Sequence, residues 1–216
     1  MRTHTPTPTE NYLNATFACE DDAMRTARLC GDALRAGMQL SPYEGALLAW
    51  LARCVQAQHI LEIGSFVGYS TLWLARTLPE NGTLITIEKD AQHAALTRTH
   101  LDHSDYGTKC EVRIGDALEQ VQHLTSHSFD LIFIDAAKGD YHALLEATDP
   151  MLRIGGMVIG DNSLLFGHMA GAPSQRASKR AIESMRAFNT TLATSEKYDA
   201  MLLPTPEGLT IGIKRA

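Results

Sequence analysis

The chain has 216 residues, 44% of them hydrophobic and 20% charged, which suits one soluble α/β domain with a sizeable core. A formal charge of -6 argues against a broad nucleic-acid surface. No apolar run approaches the roughly 20 residues of a membrane span, and MRTHTPTPTE lacks the apolar stretch of a secretory signal, so a cytoplasmic protein is expected.

In chain order, the Thr/Pro-rich residues 1–10 read as a flexible arm. Leu13, Phe17, Met24, Ala27 and Leu34 then recur at helical spacing between Asn11 and Ala36. Ser41-Pro42 reads as an N-cap with proline at the first helical position, opening a helix over Tyr43 to Val55. Residues 11–58 are thus N-terminal helices, and a core follows over 59–216.

There the pattern alternates. Strands are expected at residues 59–63, 83–87, 111–114, 129–134 and 156–159, with helices at 69–78, 91–101, 117–124, 142–152 and 174–193. Such alternation implies parallel βαβ units, and strands apolar on both faces imply helices on each side of the sheet. Tyr198–Leu203 and Leu209–Lys214, joined by P-T-P-E-G, read as a closing hairpin. The expectation is a doubly wound, seven-stranded sheet, mostly parallel, with an antiparallel C-terminal strand.

The four cysteines form no C-x-x-C pair, and the nine histidines show no metal-ligand spacing, so buried thiols and surface imidazoles are expected. Chemistry concentrates at strand ends. In H-I-L-E-I-G-S-F-V-G-Y-S, Gly64 and Gly68 occupy the first strand-to-helix turn, where backbone N–H groups can approach a ligand. The turn is not G-x-G-x-x-G. Glu88 ends the next strand and is placed to accept from ribose hydroxyls. These features indicate a nucleoside-containing cofactor, common to NAD proteins and methyltransferases. Glu62 sits within a buried strand, where a carboxylate is costly and an amine-bearing partner would relieve it.

Asp135 ends the strand Phe129–Ile134, and Asp161-Asn162 follow the strand Met157–Ile159. If those strands are neighbours, about 5 Å apart, three oxygens converge on one hard cation such as Mg²⁺, Mn²⁺ or Ca²⁺. Lys138, expected at a helix start, would lose its proton more readily beside such a cation.

Taken together, M-Q-L-S-P-Y-E-G, L-E-I-G-S-F-V-G-Y-S, T-I-E-K-D, G-D-A-L, F-I-D-A-A-K and G-G-M-V-I-G-D-N resemble, in order, the cation-dependent class I S-adenosylmethionine O-methyltransferases, the caffeoyl-CoA and catechol group with small bacterial relatives. The resemblance implies a Rossmann-like methyltransferase domain over residues 11–216. It places Leu40, Glu62, Gly64, Ser65 and Ser70 at the methionine end of S-adenosylmethionine, Glu88 at the ribose and Asp116-Ala117 beside the adenine. Asp135, Asp161 and Asn162 match the metal ligands, with Asp135 also beside the cofactor, and Lys138 matches the catalytic base. A homodimer and a catechol-like hydroxyl acceptor are implied too.

Two departures mark this chain: Ala137 stands where relatives often carry a second Asp, and Ser163 where plant relatives often carry Trp. The competing readings are O-methylation of a macromolecule, either a hydroxylated tRNA base or a protein carboxylate, and an NAD-linked oxidoreductase. Arg176, Lys179, Arg180 and Arg186 on the C-terminal helix are the basic residues an RNA would use.

Overall fold

A computed structural model describes residues 6–124, 128–172 and 177–215. The elements in order are α1 (Pro8–Phe17), α2 (Asp22–Arg35), α3 (Pro42–Cys54), β1 (His59–Ile63), α4 (Tyr69–Ala75), β2 (Thr83–Glu88), α5 (Ala91–Asp102), β3 (Cys110–Ile114), α6 (Ala117–Gln122), β4 (Phe129–Ile134), α7 (Tyr141–Thr148), β5 (Leu152–Asp161), α8 (Lys179–Thr194), β6 (Tyr198–Leu203) and β7 (Leu209–Lys214). The seven strands form one sheet in the order β3-β2-β1-β4-β5-β7-β6. The β2–β3, β1–β4 and β4–β5 pairs are parallel, whereas β7 runs antiparallel to β5 and β6. The expected Rossmann-like α/β fold is therefore present. Among the described residues no helix is long and apolar enough to cross a membrane.

The chain divides into two compact units, one of residues 1–59 and 65–115 and one of residues 60–64 and 116–216. In the first, α2 begins at Asp21, whose side chain accepts from the Met24 N–H, and α3 begins with a capping box between Ser41 and Glu44. Its core carries a polar knot: Tyr69 OH donates to Glu20 Oε1 at 2.7 Å, and Arg28 grips both oxygens of Glu20. Burial, then the Glu20 hydrogen bond, pushes the Tyr69 hydroxyl well above its ordinary pKa.

In the second unit β4 is apolar on both faces, and Ile132, Phe133 and Ile134 are fully buried. The closing hairpin is tied to Asp149, which accepts from Tyr198 OH and pairs with Lys214 at 3.3 Å and Lys197 at 3.4 Å.

Several expectations shift. The first helix starts at Pro8 instead of Asn11, because Thr7 and Glu10 form a capping box around Pro8; residues 1–5 lie outside the described residues. β5 runs from Leu152 instead of Gly156, since Leu152 pairs with Phe129 beyond a register shift. α7 ends at Thr148, where Asp149-Pro150-Met151 tightens into a 3-10 turn. Residues 174–176 of the expected C-terminal helix lie outside the described residues; α8 is capped by Ser178. The cysteines are free, but Cys19 and Cys54 are exposed rather than buried, and Cys30 and Cys110 are half-buried.

Candidate active site

In the first unit the glycine turn is held by side chains it did not advertise. Gly68 is left-handed at φ +88° and opens α4, where a Cβ would meet Thr97 Cγ2 at 3.0 Å. Phe66 is also left-handed, at φ +50°. Its N–H donates to Glu88 Oε2 at 2.8 Å, and its ring meets His93 edge-on at 4.8 Å. Asp90 N–H donates to the other Glu88 oxygen at 2.9 Å. Glu88 thus fastens the turn and, as a carboxylate with roughly four acceptor positions, retains capacity for further donors. Ser65 Oγ lies 3.0 Å from Thr97 Oγ1, which donates to Phe66 O at 3.1 Å. Ser70 and Leu40 are both buried, Ser70 on α4 and Leu40 just before α3.

In the second unit Glu62 is fully buried on β1, paired in register with Phe133. Gly64 takes φ +96°, and a Cβ there would stand 2.2 Å from the carbonyl oxygen of Asp135. Only glycine lets these two backbones pass so closely, while Asp135 N–H continues the ladder to Ile63 O at 2.8 Å. Asp116 caps α6 by accepting from Leu118 N–H at 3.1 Å, and Ala117 is the first residue of that helix.

The tips of β4 and β5 gather the most chemistry. Ile134 lies opposite Gly160 in parallel register, which sets Asp135 and Asp161 side by side. Asp161 is 1% exposed, and the adjoining Asn162 is 8% exposed with φ +53°. Lys138 Nζ donates to Asp135 Oδ1 at 2.8 Å and to Tyr141 OH at 2.7 Å, with Asp161 O at 3.5 Å. Tyr141 OH lies 2.8 Å from Asp161 O and 2.9 Å from Ile134 O. The loop beyond is braced by Asn189, which donates to Ser163 O at 2.9 Å and accepts from Thr210 Oγ1 at 2.8 Å. Left-handed Asn162, Leu165 and Phe166 crowd this one stretch, a concentration of backbone strain typical of functional loops.

Among the described residues no three or more His, Cys, Asp or Glu side chains are grouped so that they could hold a metal ion by themselves. A cation would therefore draw on the mixed set of Asp135, Asp161 and Asn162. That set fits a hard divalent ion, being all oxygen, and the buried Asp161 beside the half-buried Asp135 gains from a positive charge.

Two readings of this region change. Lys138 lies in the turn before α7 and not at its start, because the helix opens only at Tyr141. Asp140 is ion-paired with Arg180. That pair, with Lys179 beside Glu183 at 3.7 Å, gives two of the basic residues acidic partners within the chain. Arg176 lies outside the described residues. Sequence reasoning missed Tyr141, Asn189, Thr210 and Thr97, whose partners are remote along the chain except for Lys138, three residues before Tyr141.

A Rossmann-like sheet with a glycine turn and acids at successive strand tips is the framework of a nucleoside-cofactor protein. A family model described as O-methyltransferase matches residues 19–215. A catechol O-methyltransferase of Niastella koreensis is 33% identical over 198 residues, 90% of this chain and 88% of the relative. A Mycobacterium tuberculosis catechol O-methyltransferase is 30% identical, covering 83% of this chain and 84% of its own. The solved structure of TomG from Streptomyces achromogenes, an O-methyltransferase in tomaymycin synthesis in complex with SAM, superposes with a TM-score of 0.88 at 29% identity, covering 96% of each chain. The chain belongs to the O-methyltransferase family.

Proposed function

We propose that this enzyme transfers the methyl group of S-adenosylmethionine to a hydroxyl of a small catechol-like acceptor, with a divalent cation. The carrying observation is Lys138 Nζ held beside Asp135 and Tyr141 at the tips of β4 and β5. Asp135, Asp161 and Asn162 would hold the cation. Glu62, Gly64, Ser65, Ser70 and Leu40 would serve the methionine end of the cofactor, Glu88 the ribose, and Asp116 and Ala117 the adenine. When bound, the cofactor supplies an electrophilic methyl group and the cation a positive charge that favours loss of the acceptor's proton.

The protein's own part is orientation and proton handling. Lys138 as the free amine accepts the hydroxyl proton, and Asp135 stabilises the ammonium that results. An acceptor with two adjacent oxygens suits this site because both would be ligands for a hard cation held by Asp135, Asp161 and Asn162. Orienting the acceptor against the cofactor methyl carries much of the acceleration. Exposed Tyr12, Phe17, Leu29 and Leu34 on α1 and α2 support assembly as a homodimer through these helices.

Supplying labelled S-adenosylmethionine together with catechol, bulk tRNA and cell protein tests the assignment. Label is expected in the catechol product. Label confined to RNA or protein would overturn it.

A further inference from the structure

Tyr141 has no role in the chemistry derived so far, yet it sits at its centre. Its ring is fully buried and packs edge-on against Phe188, with centroids 5.3 Å apart. One hydroxyl there meets three groups: Lys138 Nζ, Asp161 O and Ile134 O. A phenol owns one proton, so it donates to one of the two carbonyls. The 2.7 Å contact with Lys138 is then a hydrogen bond that Tyr141 accepts.

The geometry at Lys138 follows from this. Its nitrogen has two short contacts, 2.8 Å to Asp135 Oδ1 and 2.7 Å to Tyr141 OH, while Asp161 O at 3.5 Å is too distant to hold a third N–H firmly. The two short contacts fix two of its hydrogen-bond directions and so set where Nζ sits and how it is turned. The Tyr141 ring lies 4.7 Å from Nζ, so the side chain is also supported from below.

We propose that Tyr141 is a positioning residue: its hydroxyl, itself held by the Ile134 and Asp161 carbonyls, fixes the place and orientation of Lys138 Nζ at the tips of β4 and β5. Tyr141 touches neither acceptor nor cofactor in this scheme. The inference rests on Lys138 being the base of the proposed reaction. Its structural half, that Tyr141 holds Lys138, does not depend on the activity.

Tyr141→Phe is the test, since it keeps the ring against Phe188 and beneath Nζ and removes only the hydroxyl. Three measurements are made: steady-state kinetics, Mn²⁺ affinity by electron paramagnetic resonance, and the rate of formaldehyde reductive methylation at Lys138 in cofactor-free protein, read by mass spectrometry against the other lysines. Misplacing a reacting group by about an ångström costs on the order of 100-fold, so kcat is expected to fall about 10- to 100-fold. KM for S-adenosylmethionine and Mn²⁺ affinity should stay within about twofold, and Lys138 should label at least about threefold faster once its partner is gone. Unchanged labelling would overturn the proposal whatever the activity does. A loss of Mn²⁺ affinity matching the loss of kcat would also overturn it, because Tyr141 would then be holding the strand tips rather than the lysine. If the wild-type protein methylates no hydroxyl, the functional reading fails, and the labelling comparison still decides whether Tyr141 holds Lys138.

Discussion

Replacing Gly64 with alanine probes the tightest backbone approach beside the candidate site. The new Cβ would sit 2.2 Å from Asp135 O, a backbone atom that cannot swing aside, and the residue would keep φ +96°. Gly171→Ala is the matched control, because Gly171 has φ +77° and nothing within 4 Å of its would-be Cβ. Left-handed backbone costs about 1–2 kcal/mol for an L-residue, and both variants carry that term. Only Gly64→Ala adds overpacking, worth about 1–3 kcal/mol. At about 2–4 °C per kcal/mol for a protein of this size, Gly64→Ala should melt about 2–12 °C below Gly171→Ala. Scanning calorimetry of both proteins at equal concentration reads the difference. Because the clash falls on Asp135, Gly64→Ala should also lose methyl transfer, while Gly171→Ala keeps it. Equal melting temperatures would refute the claim that close approach, beyond φ alone, demands glycine here.

Other perturbations separate the remaining parts. Glu88→Gln keeps the shape but weakens a charge-assisted acceptor to a neutral one, so the S-adenosylmethionine Kd measured by calorimetry should rise about tenfold; an unchanged Kd would count against a ribose role. Tyr69→Phe removes a buried donor from the carboxylate of Glu20 and should cost about 2 kcal/mol, seen as a lower urea midpoint with an unchanged slope. Asp149 adds a pH dependence. Burial alone would raise its pKa, but the Tyr198 hydrogen bond and Lys214 and Lys197 outweigh burial and lower it below 3.8. A lowered carboxylate pKa gives stability that is present above pH 3.8 and lost as pH falls through the folded value. The stability gap between wild type and Asp149→Asn should therefore be full at pH 6 and narrow at about pH 3; an equal gap at both would contradict this sign.

Much of this was legible from local pattern. Strands apolar on both faces were recognisable because burial on both sides leaves no polar alternation, and the hairpin bounds Tyr198–Leu203 and Leu209–Lys214 follow from the turn between them. The strand-end acids were visible as residue types out of place. Their surroundings were not. Glu88 stood out as an acid, but its fastening of Phe66 N–H, 22 residues away, depends on how the turn folds back. Glu20, Arg28 and Tyr69 form one knot although Tyr69 lies 49 residues from Glu20. Tyr141 was near in sequence yet silent, since a tyrosine in the first turn of an apolar helix looks like ordinary core. The helix start at Pro8 was hidden because Thr and Pro serve equally in loose segments and in capping boxes.

The proposed function requires a cation at the β4 and β5 tips for methyl transfer to a hydroxyl. Its most direct test is the initial rate of catechol methylation by the purified protein in excess EDTA and after Mg²⁺ is restored. The account predicts that EDTA abolishes the rate and Mg²⁺ returns it in wild type but not in Asp161→Ala. Full activity in EDTA would contradict it.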